Sequence, residues 1–497
     1  MPSMELLSNM NGDHESQSQM PSSDQKRGGW FTFFFVSATL TGLAMAGWGW
    51  LTNLVVYLIE EFNVKSIDAT QVANVVNGSI SMIAIVGALL ADSFLGSFRV
   101  ISISSFLSLL GTLMLTLTAT ISHLRPQHCE TGSTLCHAPS KLQLAVLYTA
   151  ICLASIGMGV VRSVLTTLGA NQFDNPKDQA TFFNWFIFTV RKRNVLVSSE
   201  NKDYYQEISD ASNKSIAATP KGSFRFLNHA AIKTEGDINS DGSIAKPWRI
   251  CSVQQVEDLK TLIRIFPLWA SSVFLATPIA IQANMSVLQA LSMDRHLGSN
   301  FKIPAGSITI LVFISCATFI ALLDRFLFPT WQTLTGRPLT PLERIGTGHA
   351  FNILSTIISA LVESKRLKTA HDNQQGAVPM LALWLFPQLI LVGVGEAFHL
   401  PGNVLFYYQE FPASMKSTAT SMMSIVIGIA FYFSTALVDL IRNVTGWLPA
   451  DINHGRLDNV YWTFVVLGLL NFGYFLLCAK FYKYNILDKE VETNSRL

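Results

Sequence analysis

Long uncharged runs, separated by short polar breaks, dominate the chain. They cover 30–59, 72–90, 100–121, 142–161, 265–293, 303–323, 345–362, 377–395 (continuing past Glu396 towards Tyr408), 417–438 and 460–479. A bilayer core about 30 Å thick takes about 20 apolar residues as a helix, and each run is near that length. The pattern predicts ten membrane-spanning helices, four before the centre of the chain and six after it. One stretch, 180–190, is apolar and aromatic (Phe182, Phe183, Trp185, Phe186, Phe188) but stops at Arg191-Lys192-Arg193, at about half a span. Such a segment lies at the interface or re-enters with its backbone shielded by protein.

Composition supports this pattern. The chain holds 497 residues, of which 14% are charged, against about 25% in soluble domains. Mean hydropathy is +0.35, and there are 33 Phe and 10 Trp. A soluble protein has nowhere to hide so much apolar surface. Six Cys are too sparse for a secreted disulfide scaffold. A net charge of +2 gives no concentrated basic face for nucleic acid. A polytopic membrane protein in a lipid bilayer remains.

Lys and Arg set its expected orientation. Lys26 and Arg27 precede the first span, which places the N-terminus in the cytoplasm. The acidic loop 60–71 falls outside, and the basic stretch 191–264 falls inside after four complete spans. Lys365, Arg366 and Lys368 land outside, against the rule. The expected organisation is a disordered cytoplasmic tail 1–29 without a cleavable signal, an N-terminal bundle 30–190, a cytoplasmic central loop 191–260, a six-helix bundle 261–484 and a tail 485–497.

After the second span the chain reads Gly87-Ala-Leu-Leu-Ala-Asp92-Ser-Phe-Leu-Gly96-Ser-Phe-Arg99. From the residues alone this is a tight turn. Gly87 and Gly96 permit close packing and unusual backbone angles. Asp92 is suited to cap a helix or pair with Arg99. The whole pattern resembles the loop motif of the major facilitator superfamily in its peptide-transporter form. Gly169-Ala-Asn-Gln172-Phe173-Asp174, Phe182-Phe183-Asn184-Trp185-Phe186, Gly393-Val-Gly395-Glu396-Ala397-Phe398, Glu410-Phe411-Pro412 and the loop Trp447–Asp458 extend the likeness. They resemble the plant nitrate/peptide (proton-dependent oligopeptide) transporter family. Trp48-Gly-Trp50, Asn53-Leu-Val-Val-Tyr57 and Glu60-Glu61-Phe62-Asn63-Val-Lys65-Ser-Ile67 resemble its nitrate-excretion subgroup.

The resemblance implies an all-α major facilitator fold and transport rather than enzyme chemistry, with no cofactor. It also exposes two departures. Proton-coupled members carry an E-x-x-E-R pattern in the first span, where this chain has Leu40, Leu43 and Ala44. A carboxylate inside the membrane is suited to carry a proton because it can be neutralised and recharged; Leu and Ala cannot. The resemblance therefore implies a nitrate carrier, with chloride as a second candidate, that does not couple to protons by the usual route. The second departure is a break after Val190, where the family continues through the fifth span and a sixth. The chain is expected to lack about two helices, roughly 50 to 80 residues. That leaves a second expectation, a transport-inactive truncated form that associates with full-length relatives, and a third, a proton-coupled peptide carrier.

Three side chains are candidates for the substrate path. Arg162, at the end of the fourth span, is a cation suited to attract an anion, or a snorkelling helix-end Arg. At its position the family has a cavity-facing Lys or Arg. The family's acidic partner falls at Leu405, which leaves Arg162 free to favour anions. Glu396 is a carboxylate inside an apolar run. His399, at i+3, is placed to pair with it, and Pro401-Gly402 favours a kink just beyond. His349 reads as a packing histidine or a second site residue. The substrate-binding His of some nitrate-transporting members lies in their seventh span, and 265–293 contains none. Cys129 and Cys136 are suited to an outside disulfide, and Asn443-Val-Thr445 is a formal glycosylation sequon.

Overall fold

The structure, a computed structural model, describes residues 29–91, 95–127, 138–170, 224–233, 252–298, 300–372, 378–411, 416–449 and 451–482. The half-span 180–190, Cys129, Cys136, Asp92 and the tails lie outside the described residues.

Eleven helices carry the fold among those residues. They are α1 (Gly29–Glu60), α2 (Ser66–Leu90), α3 (Ser97–Thr120), α4 (Lys141–Ala170), α5 (Val253–Ser292), α6 (Ile310–Leu322), α7 (Phe328–Thr335), α8 (Pro341–Asp372), α9 (Phe386–Glu410), α10 (Lys416–Thr445) and α11 (Leu457–Phe481). A π-turn, Leu323–Leu327, joins α6 to α7 in one span. By length and composition, nine spans among the described residues suffice to cross a membrane. α1 adds a 32-residue helix with no charge before Glu60. Two short strand pairs close the loops around 293–302 and 378–381.

The element boundaries correct the sequence reading in three places. Residues 66–71 are the first turns of α2, with Asp68 at the positive end of the helix dipole, and not loop. α5 begins at Val253, inside the stretch expected to be central loop. α8 runs to Asp372, so Lys365, Arg366 and Lys368 are helical residues. Arg366 is fully buried against Glu363, and the Lys365 ammonium sits 3.6 Å over the Trp384 ring. Two of the three charges that broke the orientation rule are thus held by protein partners, which loop counting cannot see.

α1 to α4 form one packed group and α5 to α11 another. α3 leaves Phe106, Leu109, Leu113 and Leu117 exposed, as a lipid-facing helix does. The groups meet where α2 lies along α10, and where α1 meets the turn Ala305–Thr309. The largest apolar cluster spans both groups, with Leu54, Leu58, Phe62 and Ile67 on one side and Ile281, Met285, Leu288 and Tyr461 on the other.

Candidate functional site

Polar groups link the two halves along α2. Arg442 Nη1 donates to Asp68 Oδ1 at 2.7 Å. Gln71 Nε2 donates to Asp439 Oδ1 at 2.8 Å. Asn284 Nδ2 donates to Asn74 Oδ1 at 2.5 Å, and the Ser79 and Tyr432 hydroxyls lie 2.8 Å apart. All four contacts use the part of α2 between Asp68 and Ser79. The halves are therefore joined at the end of the molecule carrying the α1–α2 turn, where Glu61 and Arg125 form a further ion pair within the first group.

The loop motif after α2 is placed in part. Gly87 packs against α4 so closely that a Cβ there would meet Val160 Cγ1 at 2.7 Å. Gly96 has φ 74°, a left-handed angle that favours glycine. Arg99 is exposed on α3. Both glycine expectations are met. Arg162 lies on α4, with its side chain outside the described residues, as are those of Leu40 and Ala44 in α1.

Glu396 and His399 are brought together on one face of α9. His399 Nδ1 stands 3.6 Å from Glu396 Oε1, an ion-pair distance but not a hydrogen bond. His399 is 2% exposed at its side chain and Glu396 16%. His349 on α8 joins them, its ring centroid 6.1 Å from that of His399 and stacked at 4.7 Å on Phe475 of α11. The helices come this close because Gly348 and Gly395 face across the contact. A Cβ on Gly348 would meet His399 Cβ at 2.8 Å, and one on Gly395 would meet Asn352 Oδ1 at 2.7 Å. Neither ring nitrogen of His349 or His399, neither amide atom of Asn352, nor Glu396 Oε1 has a hydrogen-bond partner among the described residues. His349 and Asn352 complete a cluster of which sequence reading singled out the i, i+3 pair as one unit. The missing signal was the α8–α9 contact, which two small residues on facing helices hint at.

α9 then passes Pro401 without breaking. Beyond it, Ser272 Oγ of α5 donates to Asn403 Oδ1 at 3.2 Å, and Tyr482 OH donates to Glu410 Oε2 at 2.8 Å. A second polar cluster lies toward the other end of α8. There Arg366 donates to both Glu363 oxygens at 2.7 Å, to Ser292 Oγ at 3.0 Å and to Asn453 Oδ1 at 2.5 Å. Gln289 Nε2 donates to Glu363 Oε2 at 2.6 Å. Outside the spans, Asp294 is held below its ordinary carboxylate range, first by the His296 backbone N–H and then by the His296 side chain. Among the described residues no group of three His, Cys, Asp or Glu is placed to hold a metal ion.

Two groups of membrane-length helices, held together at one end, with ionisable groups buried inside one of them, define a polytopic helical membrane protein. The POT family profile matches residues 98–191 and 202–453, and the chain belongs to that family of membrane transporters. In Arabidopsis thaliana, protein NRT1/PTR FAMILY 2.7 is 50% identical over 98% of both chains. NRT1/PTR FAMILY 2.6 from the same plant is 47% identical over 96% of this chain and 97% of the relative. The solved structure of an auto-inhibited POT family peptide transporter superposes with a TM-score of 0.60 at 15% identity, covering 92% of this chain and 98% of that one. The in meso structure of the POT family transporter PepTSo gives 0.59 at 16%, covering 90% and 98%. These two share the fold. The first alignment runs 556 positions against the 497 residues here, so the relative has internal positions that this chain lacks. The family match is interrupted directly past Val190, between 191 and 202.

Proposed function

We propose that this chain carries nitrate, with chloride as a second substrate, out of the cell across the plasma membrane, by low-affinity alternating access and without the first-span proton route. The observation that carries the reading is the identity of three residues within α1: Leu40, Leu43 and Ala44 stand where the resembling proton-coupled carriers have two acids and an arginine. Leu43 is half-buried in the apolar helix and offers nothing to titrate. The same residues weigh against a proton-coupled peptide carrier. In this reading Arg162 supplies the attraction for the anion, since a cation in a low-dielectric path is compensated by a passing anion. Glu396 and His399 flank the path, and Gly87, Asp92, Gly96 and Arg99 form the cytoplasmic latch. The Asp68–Arg442 end faces outward, and its closure corresponds to an inward-facing carrier.

Nitrate efflux from proteoliposomes containing this chain, with voltage and pH clamped, tests the proposal. Saturable efflux that needs no proton gradient is the expected result, and Arg162→Ala lowers it. Strict dependence on a proton gradient would sink the uncoupled reading, and unchanged flux in the variant removes Arg162 from the path. A second reading has its own observation, the alignment positions absent from this chain. If the chain is silent and the same chain with a family-length insert after Val190 transports, it is a transport-inactive form, and association with full-length relatives becomes its role.

A further inference from the structure

A cavity of about 370 Å³ lies between α5, α10 and α11, away from the polar groups discussed so far. Phe464 closes its floor at 2% exposure, while Phe274 and Leu470 stand at its rim, 51% and 67% exposed. The Phe274 and Phe433 rings meet edge to face at 5.6 Å and bridge α5 to α10 at one wall. All three helices belong to membrane-length spans, so the exposed apolar rim opens onto lipid.

The depth of the cavity follows from the helix it runs along. Phe464 and Tyr474 each stand seven residues inside an end of α11, Leu457–Phe481. At 1.5 Å per residue the lining covers about 15 Å of that helix, centred on its middle. A helix of this length crosses the hydrocarbon core. The cavity therefore lies around the bilayer midplane, away from both headgroup layers.

We propose that this cavity binds the end of an acyl chain of a membrane phospholipid. Size is the first argument. An apolar cavity of about 150 Å³ holds a benzene ring, so this one has room for roughly a dozen chain carbons. Chemistry is the second. The lining is apolar except for Thr277, Asn471 and Tyr474, and each of these has a partner of its own. Thr277 Oγ1 donates to the Val273 carbonyl at 2.9 Å. Asn471 Nδ2 donates to the Ser271 carbonyl at 3.0 Å, and the Tyr474 hydroxyl interacts with the Cys478 thiol. Depth is the third argument. Chain ends lie at the midplane, whereas a sterol would have to bring its hydroxyl down from the interface without a partner in reach.

Inside a bilayer the driving force is packing rather than escape from water. Lipid tails are as apolar as the cavity walls, but a chain end seated among rings and branched side chains gains dispersion contacts that loose tails do not supply. The site stands apart from the contact between the two halves. Tyr432 and Asp439, two turns apart on α10, reach α2. Phe433 and Leu437, one turn apart, line the cavity on another face of the same helix. A seated chain also supports α5 beside Pro278, where the helix lacks an internal N–H bond.

Photolabelling of the full chain in phosphatidylcholine nanodiscs tests the site. It needs no flux, so it stands or falls apart from the nitrate reading. The probe is a phosphatidylcholine with a diazirine at the end of one acyl chain. Labelling of Phe274, Phe433 and Leu437 should exceed labelling of Phe106, Leu109, Leu113 and Leu117 on α3 about tenfold, since the α3 residues are exposed to the same lipid. Leu437→Trp, which fills the cavity, should lower the first to the level of the second and leave α3 unchanged. Equal labelling of the two sets in the natural chain means ordinary lipid contact and overturns the proposal. So does cavity labelling that the variant leaves in place. Stronger cavity labelling by a diazirine beside the headgroup, or by a photoreactive sterol, than by the chain-end probe overturns the assignment to an acyl chain end. Should Leu437→Trp fail to fold, Leu467→Trp on the α11 side of the cavity takes its place, and the ratio in the natural chain still decides.

Discussion

Helix α8 carries two buried polar clusters with opposite character. At Glu363–Arg366 the guanidinium is bidentate on the carboxylate, and the remaining capacity goes to Ser292, Asn453, Gln289 and the Ile452 carbonyl. About four turns back along the helix, His349 and Asn352 face Glu396 and His399, and the four ring nitrogens, the Asn352 amide and Glu396 Oε1 have no hydrogen-bond partner among the described residues. Both clusters are buried, the first against α5 and the loop before α11 and the second against α9 and α11, so burial does not separate them. Saturation does. A charge whose bonds are all made is fixed in one state and locks α8, α5 and the loop before α11 together. Where the ring nitrogens of His349 and His399 make no bond among the described residues, α8 and α9 are held at that level by close packing alone.

The largest effect should come from half-breaking the saturated pair. Arg366→Ala leaves Glu363 buried and ionised, and should cost about 3–5 kcal/mol. Loss of a monodisperse peak on heating, roughly 10 °C below the natural chain, would register it. Changing both residues, Glu363→Leu with Arg366→Met, should recover most of that loss, because the uncompensated charge is then gone. If the double variant is as damaged as the single, the cluster holds geometry as well as charge and the contrast with His349 weakens.

The open cluster should respond in the other direction. His349→Phe removes two unmade bonds and places an apolar ring beside Phe472 and Phe475, at the cost of slight overpacking. The net change should lie within about 1 kcal/mol of the natural chain. Thermal dispersion assays on the two single variants side by side give the sharpest comparison. A loss for His349→Phe as large as that for Arg366→Ala would make both clusters structural.

What sequence could see of this contrast depended on chain distance. The spans were legible because a run of about 20 apolar residues is a local property, and Glu396–His399 because i+3 is one helical turn. Gly96 was legible because the motif demanded a turn. Arg366 was misread. Its partner Glu363 is also at i−3, but the apolar run ends at Val362, which puts Lys365, Arg366 and Lys368 in the loop beyond it. The helix continues to Asp372 because Ser292 and Asn453, from two other elements, absorb the charge. His349 and Asn352 were illegible as site members for a related reason. Their neighbours are set by how closely α8 and α9 approach, and that is decided by Gly348 and Gly395 across the contact. The contact between Asp68 and Arg442 joins residues 374 positions apart, and no local pattern announces it.

That contact supplies the smallest effect and the last way to sharpen the comparison. Asp68 and Arg442 are roughly one-third to one-half exposed at their side chains, so the pair is solvated and screened and should contribute about 0.5 kcal/mol. It nevertheless joins the two halves, where an energy of that size shifts the ratio of sealed to open forms about twofold. Arg442→Ala should leave thermal stability unchanged and raise hydrogen exchange at 66–79 and 432–445 by about that factor. High salt should produce the same rise in the natural chain and none in the variant, since screening removes what the substitution removes. Salt-independent exchange in the natural chain would assign the seal to Asn74–Asn284 and the apolar packing of α2 on α10. In that outcome the exposed pair adds nothing to the joint between the halves, and of the two pairs compared only the saturated Glu363–Arg366 contact holds helices together.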